Sequence, residues 1–158
     1  MANTQSMCTS FMGELMTATH NFGVAPIRAA TTADTFKAAL YLASATINAS
    51  TTAYSATGEV TGTNYTAGGV SVTNATAPIA TNSSATAGVA YWTPSASITY
   101  TTVTLTTAFD AVLIYNSTQS NKAVSVHTFG SQTITAGTFT LTMPSNTTTT
   151  ALLRLSTT

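Results

Sequence analysis

A chain of 158 residues is the size of one domain and can withdraw ~70% of its unfolded surface from water without metal or disulfide staples. Thr and Ser fill 54 positions (38 and 16) beside 26 Ala, while only eight residues carry a formal charge, four of each sign. That 5% charged fraction, set against ~25% in an average soluble domain, excludes a basic stripe for nucleic acid. Six Tyr, six Phe and one Trp argue equally against disorder.

The predicted elements begin with one short helix. Ser10 is its expected N-cap, and Phe11, Met12, Leu15 and Met16 fall on one face. Gly13 weakens it by ~1 kcal/mol relative to Ala, so it needs a docking partner. Residues 1–22 have no cationic start and no apolar stretch, so no secretory signal is expected, and export by another route stays open. No segment approaches the ~20 apolar residues of a membrane span. Residues 22–32, with Gly23 and Pro26, read as an extended connection.

From there the pattern is β throughout. Phe36, Ala38, Leu40 and Leu42 alternate with Lys37, Ala39 and Tyr41, the period of a strand with one buried face. Gly68-Gly69 predicts a turn or bulge leading to a strand around Val70 and Val72. A long loop is expected over residues 73–88, followed by a strand over 89–92 that Pro94 stops. Separate strands are predicted at 98–106, 111–115, 123–129, 133–135, 138–143 and 151–155. Ala136-Gly137 reads as a hairpin turn or bulge. Eight or nine short strands at this spacing describe an all-β fold, a single β-sandwich or jelly-roll-like domain over residues 33–158. Residues 1–32 form an N-terminal arm with the short helix.

Parts for catalysis are missing. His20 and His127 have no second ligand at metal spacing, and no G-x-S-x-G elbow or phosphate loop occurs. His20 is expected to meet the helix C-terminal carbonyls, and His127 to pack on the face of Phe129. Asp34 reads as a turn former, and Asp110 lies between two strand runs. Cys8 is expected in an unstructured arm, with no cation to activate its thiol. Triplets such as Asn74-Ala75-Thr76 arise by chance in a chain so rich in Ser and Thr. The expectation is therefore no catalytic residue, no cofactor and no metal.

Neutrality carries a positive implication. A chain of net charge zero has little repulsion to keep copies apart, and a hydroxyl-rich surface is buried at lower cost than a charged one. This points to a protein that lives in an assembly. Arg154, alone in an apolar run, either snorkels to solvent or pairs across a subunit contact, and the contact is the reading preferred here.

Several strings resemble a family of small virion proteins of tailed bacteriophages. They are Asp34-Thr35-Phe36-Lys37-Ala38-Ala39-Leu40-Tyr41, then Tyr54 through Gly62 with Gly58-Glu59-Val60 at its centre, then Tyr65-Thr66-Ala67-Gly68-Gly69. Ala111-Val112-Leu113-Ile114-Tyr115-Asn116, Asn121-Lys122-Ala123-Val124 and Phe129-Gly130 continue the likeness in the same order. The resemblance implies a virion structural protein and brings no catalytic residues with it. Glu59 is expected to bond turn amides and fix a loop for a neighbour, and Lys37 and Lys122 to guard strand edges.

The leading expectation is a capsid decoration or cement protein that binds the major capsid protein as a homo-oligomer, a trimer by preference. It would sit in the virion after assembly in the host cytoplasm, with no nucleic-acid or membrane partner. Its expected interface residues are Phe11, Leu15, Met16, Glu59 and Arg154, with the arm ordering on docking. The alternatives are a collar, head-fibre or tail-adaptor protein, and a carbohydrate-binding or adhesin module using Tyr65, Tyr91 and Trp92.

Overall fold

The computed structural model describes residues 3–16, 19, 20, 22, 33–73, 77–81 and 88–156. In chain order these form β1 (Ser6–Met7), α1 (Thr9–Met16), β2 (Phe36–Leu42), β3 (Val70–Ser71), β4 (Ile79–Thr81), β5 (Val89–Trp92), β6 (Ile98–Asn116), β7 (Lys122–Leu141) and β8 (Leu153–Ser156). The fold is all-β, with two antiparallel sheets ordered β1-β7-β6-β2-β3 and β4-β5-β8.

β2 is buried on both faces rather than one. Its register pairs Ala38 with Ile114 and Leu40 with Val112, so these side chains share a face with Phe36. On that side Phe36 meets Trp92 of the small sheet, ring centroids 6.1 Å apart. The opposite face carries Ala39, Tyr41, Leu113 and Tyr115, and residues 43–69 cover it. Tyr54 stacks on Tyr115 at 4.8 Å, and the Tyr41 hydroxyl donates to the Ser55 carbonyl at 2.5 Å. A long connection thus does the work of a second layer.

The predicted strands at 98–106 and 111–115 are one 19-residue strand, and those between 123 and 143 are one of 20. Bulges join them, which at Ala136-Gly137 is one of the two readings, turn or bulge, that the sequence offers. Thr102 (φ 51°) and Ala136 (φ 46°) take left-handed backbone without ending the pairing, and Ala136 N–H donates to Thr104 Oγ1 at 3.0 Å. The resulting hairpin doubles back. Ile114 pairs with Ala38, yet Tyr100, fourteen positions earlier, donates its hydroxyl to the same Ala38 carbonyl at 2.8 Å. A straight strand would separate those two residues by ~46 Å, at ~3.3 Å per residue. Register shifts between Tyr100 and Ala111 supply the bend.

Other expectations also change. Ser10 is no N-cap, because α1 opens at Thr9 and the Ser10 hydroxyl is buried without a hydrogen-bond partner. The start is set upstream, where Cys8 N–H is tied to the Val124 carbonyl at 3.1 Å. Cys8 itself is fully buried rather than in a loose arm. Lys37 and Lys122 guard no edge, since β2 and β7 are interior strands. The expected loop at 73–88 contains β4, while 74–76 and 82–87 lie outside the described residues. Of the connection over 22–32, only Phe22 is described.

The described arm shares the core of the β domain. Cys8, Phe11 and Phe22 are buried there, and Phe22 stacks on Phe36 at 4.4 Å while meeting Trp92 edge-on at 4.9 Å.

Backbone crowding is sharpest at Gly69. Its φ is +71°, and a methyl group there would overlap the Ala38 carbonyl oxygen. That carbonyl cannot retreat, because Ala38 pairs on both sides of β2 and accepts from Tyr100. Gly69→Ala is expected to cost about 4 kcal/mol or more, combining left-handed strain with steric overlap. Urea unfolding monitored by Trp92 fluorescence reads this directly, and a loss under about 1 kcal/mol would contradict it.

Candidate functional site

Glu59 is the most heavily used polar side chain near the β2 edge. Residues 58–60 lie along β2 beyond β3, with Leu42 N–H donating to Gly58 O at 2.9 Å and Val60 N–H to Leu40 O at 3.0 Å. This places the Glu59 carboxylate under the 43–69 segment. Oε2 accepts the Tyr54 hydroxyl at 2.6 Å, and Oε1 accepts the Tyr65 hydroxyl and the Gly68 amide, both at 2.7 Å. Tyr65 in turn accepts the Leu40 amide at 3.0 Å. One carboxylate therefore fastens two loops to the edge of β2. Burial and the neighbouring carboxylate push the hydroxyl pKa values of Tyr54 and Tyr65 well above the ordinary tyrosine value.

The expectation that Glu59 bonds a turn amide holds at Gly68. The two tyrosines were not foreseen, although they flank Glu59 at −5 and +6 and a lone acid between tyrosines is a readable signal. Glu59 is buried, so a neighbour would touch the loops it holds rather than its own carboxylate.

The other three acids are also engaged within the domain. Glu14 of α1 pairs with Lys122 Nζ through Oε1 and accepts His20 Nε2–H through Oε2, both at 2.7 Å. Asp34 is buried and accepts Asn116 Nδ2–H at 2.7 Å and Gln119 Nε2–H at 3.2 Å. Asp110 accepts Asn3 Nδ2–H at 2.6 Å. His20 thus meets a side-chain carboxylate, not the helix carbonyls. Lys122 and Asp34 are partners in internal networks rather than an edge charge and a simple turn former. Burial, helped by the Glu14 charge, raises the Cys8 thiol to about 11, so it is an inert core residue. Burial lowers His127 to about 4, beside the Ser125 hydroxyl at 2.9 Å.

Of the expected interface residues, Phe11 is buried and Leu15 half-buried. Both line a small apolar groove with Phe22, Trp92, Leu153 and Leu155. The apolar stripe of α1 therefore has a partner within the domain. Met16 ends α1, and its side chain, like that of Met12, lies outside the described residues. Arg154 projects from β8, exposed, beside a shallow slot lined by Gln5, Ser125 and His127 together with Val126 and Leu153. Of the three aromatic residues expected for sugar stacking, Tyr91 is half-buried and lines the apolar groove. Trp92 is buried, and Tyr65 is half-buried with its hydroxyl bonded and its ring stacked on Tyr100.

Among the described residues no three His, Cys, Asp or Glu side chains gather as a metal site, and no helix is long and apolar enough to cross a membrane. What the surface does present is hydroxyl. On the doubled-back hairpin, Thr99, Thr101 and Thr106 of β6 and Thr133, Thr138 and Thr140 of β7 are exposed, alternating with core residues such as Tyr100, Leu105 and Phe139. Thr99 and Thr140 face each other with hydroxyls 3.4 Å apart. No family model, curated protein or solved structure matches the chain.

Proposed function

We propose that this protein is a virion structural component, a decoration protein that binds and stabilises an assembled capsid shell. The observation that supports this most is where the charge goes. The four acids are buried, ion-paired or hydrogen-bonded inside the domain, while the outer hairpin face offers threonine. Such a face is wetted by water but loses little on contact with another neutral protein surface. It suits a partner that displays many identical neutral patches, as a capsid shell does, and the resemblance of strings within 34–69 and 111–130 to phage virion proteins supports a place in the virion. Decoration would work by mass action, since a protein that binds only the assembled shell adds its binding free energy to that shell. A trimer would match local threefold positions.

The decisive measurement is the copy number in purified particles, by quantitative mass spectrometry against the major shell protein. A ratio of the same order as the shell protein is expected. A ratio far lower would move the protein to the collar, a head fibre or the tail, and its absence from particles would overturn the virion reading.

A further inference from the structure

We propose that His20 is an acid-operated latch, which holds the N-terminal segment firmly on the domain while neutral and weakens that hold when protonated, so that brief openings of the segment become more frequent. The geometry rests on Asn116, whose orientation is fixed from both ends. Its Oδ1 accepts the Thr118 amide at 3.1 Å and the Gln119 amide at 3.2 Å. Its Nδ2 donates to Asp34 Oδ2 at 2.7 Å and to His20 Nδ1 at 3.1 Å.

His20 Nδ1 must therefore be an acceptor, and the ring proton must sit on Nε2, where it donates to Glu14 at 2.7 Å. A second proton would place N–H against N–H at Asn116. Turning the Asn116 amide to receive it would break the Asp34 bond and both backbone bonds at once. The neutral ring is thus the only form that fits.

The surrounding charges set the direction. Among the described residues, His20 faces Glu14 of α1, Lys122 of β7 and Asp34 ahead of β2, with the rings of Phe11, Phe22 and Phe36 packed around it. Burial disfavours the charged ring most, Glu14 and Asp34 oppose that, and Lys122 reinforces it, leaving the pKa below the ordinary histidine value of 6.5. A group with a depressed folded-state pKa loses its stabilising contribution as pH falls from the unfolded value towards the folded one. Glu14, also held below its ordinary value of 4.5, weakens in the same direction at lower pH. Acid therefore loosens α1 in two steps, the first belonging to His20.

Cys8, fully buried between β1 and α1, reports these openings. In the full chain, its reaction with 4,4′-dithiodipyridine, normalised to a free thiol, should accelerate at least tenfold between pH 7.5 and pH 5, with far-UV circular dichroism unchanged. His20→Gln should stay protected over that range, because its amide can donate to Glu14 and accept from Asn116 without taking a proton. If wild type and H20Q accelerate together, or if wild type does not accelerate, the latch is refuted. An NMR titration of wild type checks the same point without a variant. It should show the Nε2–H tautomer at pH 7.5 and a His20 pKa below 6.5, and either an Nδ1–H tautomer or a raised pKa would overturn the proposal.

Discussion

Glu59→Ala is expected to remove about 4 kcal/mol of stability, a large share of the ~5–15 kcal/mol that holds a domain together. The size follows from what is left behind. Two part-buried tyrosine hydroxyls and the buried Gly68 amide lose their shared acceptor, at about 1–3 kcal/mol for a donor left unpaired, with the hydroxyls at the low end. The damage would not stop at the loops, because the Tyr65 hydroxyl also receives the Leu40 amide at the edge of β2. Glu59→Gln keeps one oxygen acceptor but turns an amide donor towards a donor, so it should fall between alanine and wild type. Tyr54→Phe and Tyr65→Phe each remove one bond and should cost about 1 kcal/mol. Urea midpoints at constant slope would measure the series. An E59A loss below about 1 kcal/mol would show that the carboxylate is not the fastener described here.

Deleting residues 1–22 is the second large effect, and its direction is the reverse of what a detachable arm would give. The deletion strips Phe11 and Phe22 from the core, along with Cys8 and the His20–Asn116 bond. Losing a buried Phe side chain costs about 3–5 kcal/mol, so the two together approach the whole stability of an ordinary domain. It also uncovers Phe36 and Trp92, which Phe22 stacks against. The truncated chain should lose its cooperative thermal transition, bind a hydrophobic dye and shift its single tryptophan emission to the red. A truncation with a near-native melting temperature would show that the arm is an accessory after all.

The β2 strand was legible because Phe36 to Leu42 alternate over a full strand length, and 89–92 because an aromatic run ends at Pro94. The hairpin of β6 and β7 was not. Its breaks fall at Thr102 and Ala136, non-glycine residues in left-handed backbone, and local pattern cannot separate a bulge that continues pairing from a turn that ends it. The helix could be read from Phe11 and Leu15, but its partners could not, since Trp92 lies more than seventy residues away. The same distance problem hid the His20 site, whose Asn116 contact spans 96 positions. Glu59 was half legible: a turn amide was expected as its partner, but that this amide is Gly68's and that Tyr54 and Tyr65 share the carboxylate was missed, although all three are near in sequence.

The lengths of the outer strands have a consequence for how the protein avoids clumping. Proteins commonly protect open sheet borders with lysine or glutamate, and this chain has almost none to spare. Its large sheet instead terminates in β1 and β3, two residues each, too short to template a passing chain. Of the two long strands that could act as templates, β6 is paired on both sides along 111–116 and β7 is flanked by β6 and, at Ser125 and Val126, by β1, and both are bulged and folded over elsewhere. On a surface so poor in charge, geometry takes over the protection of the large sheet's borders, which leaves its threonine faces free for partners that recognise shape rather than strand backbone.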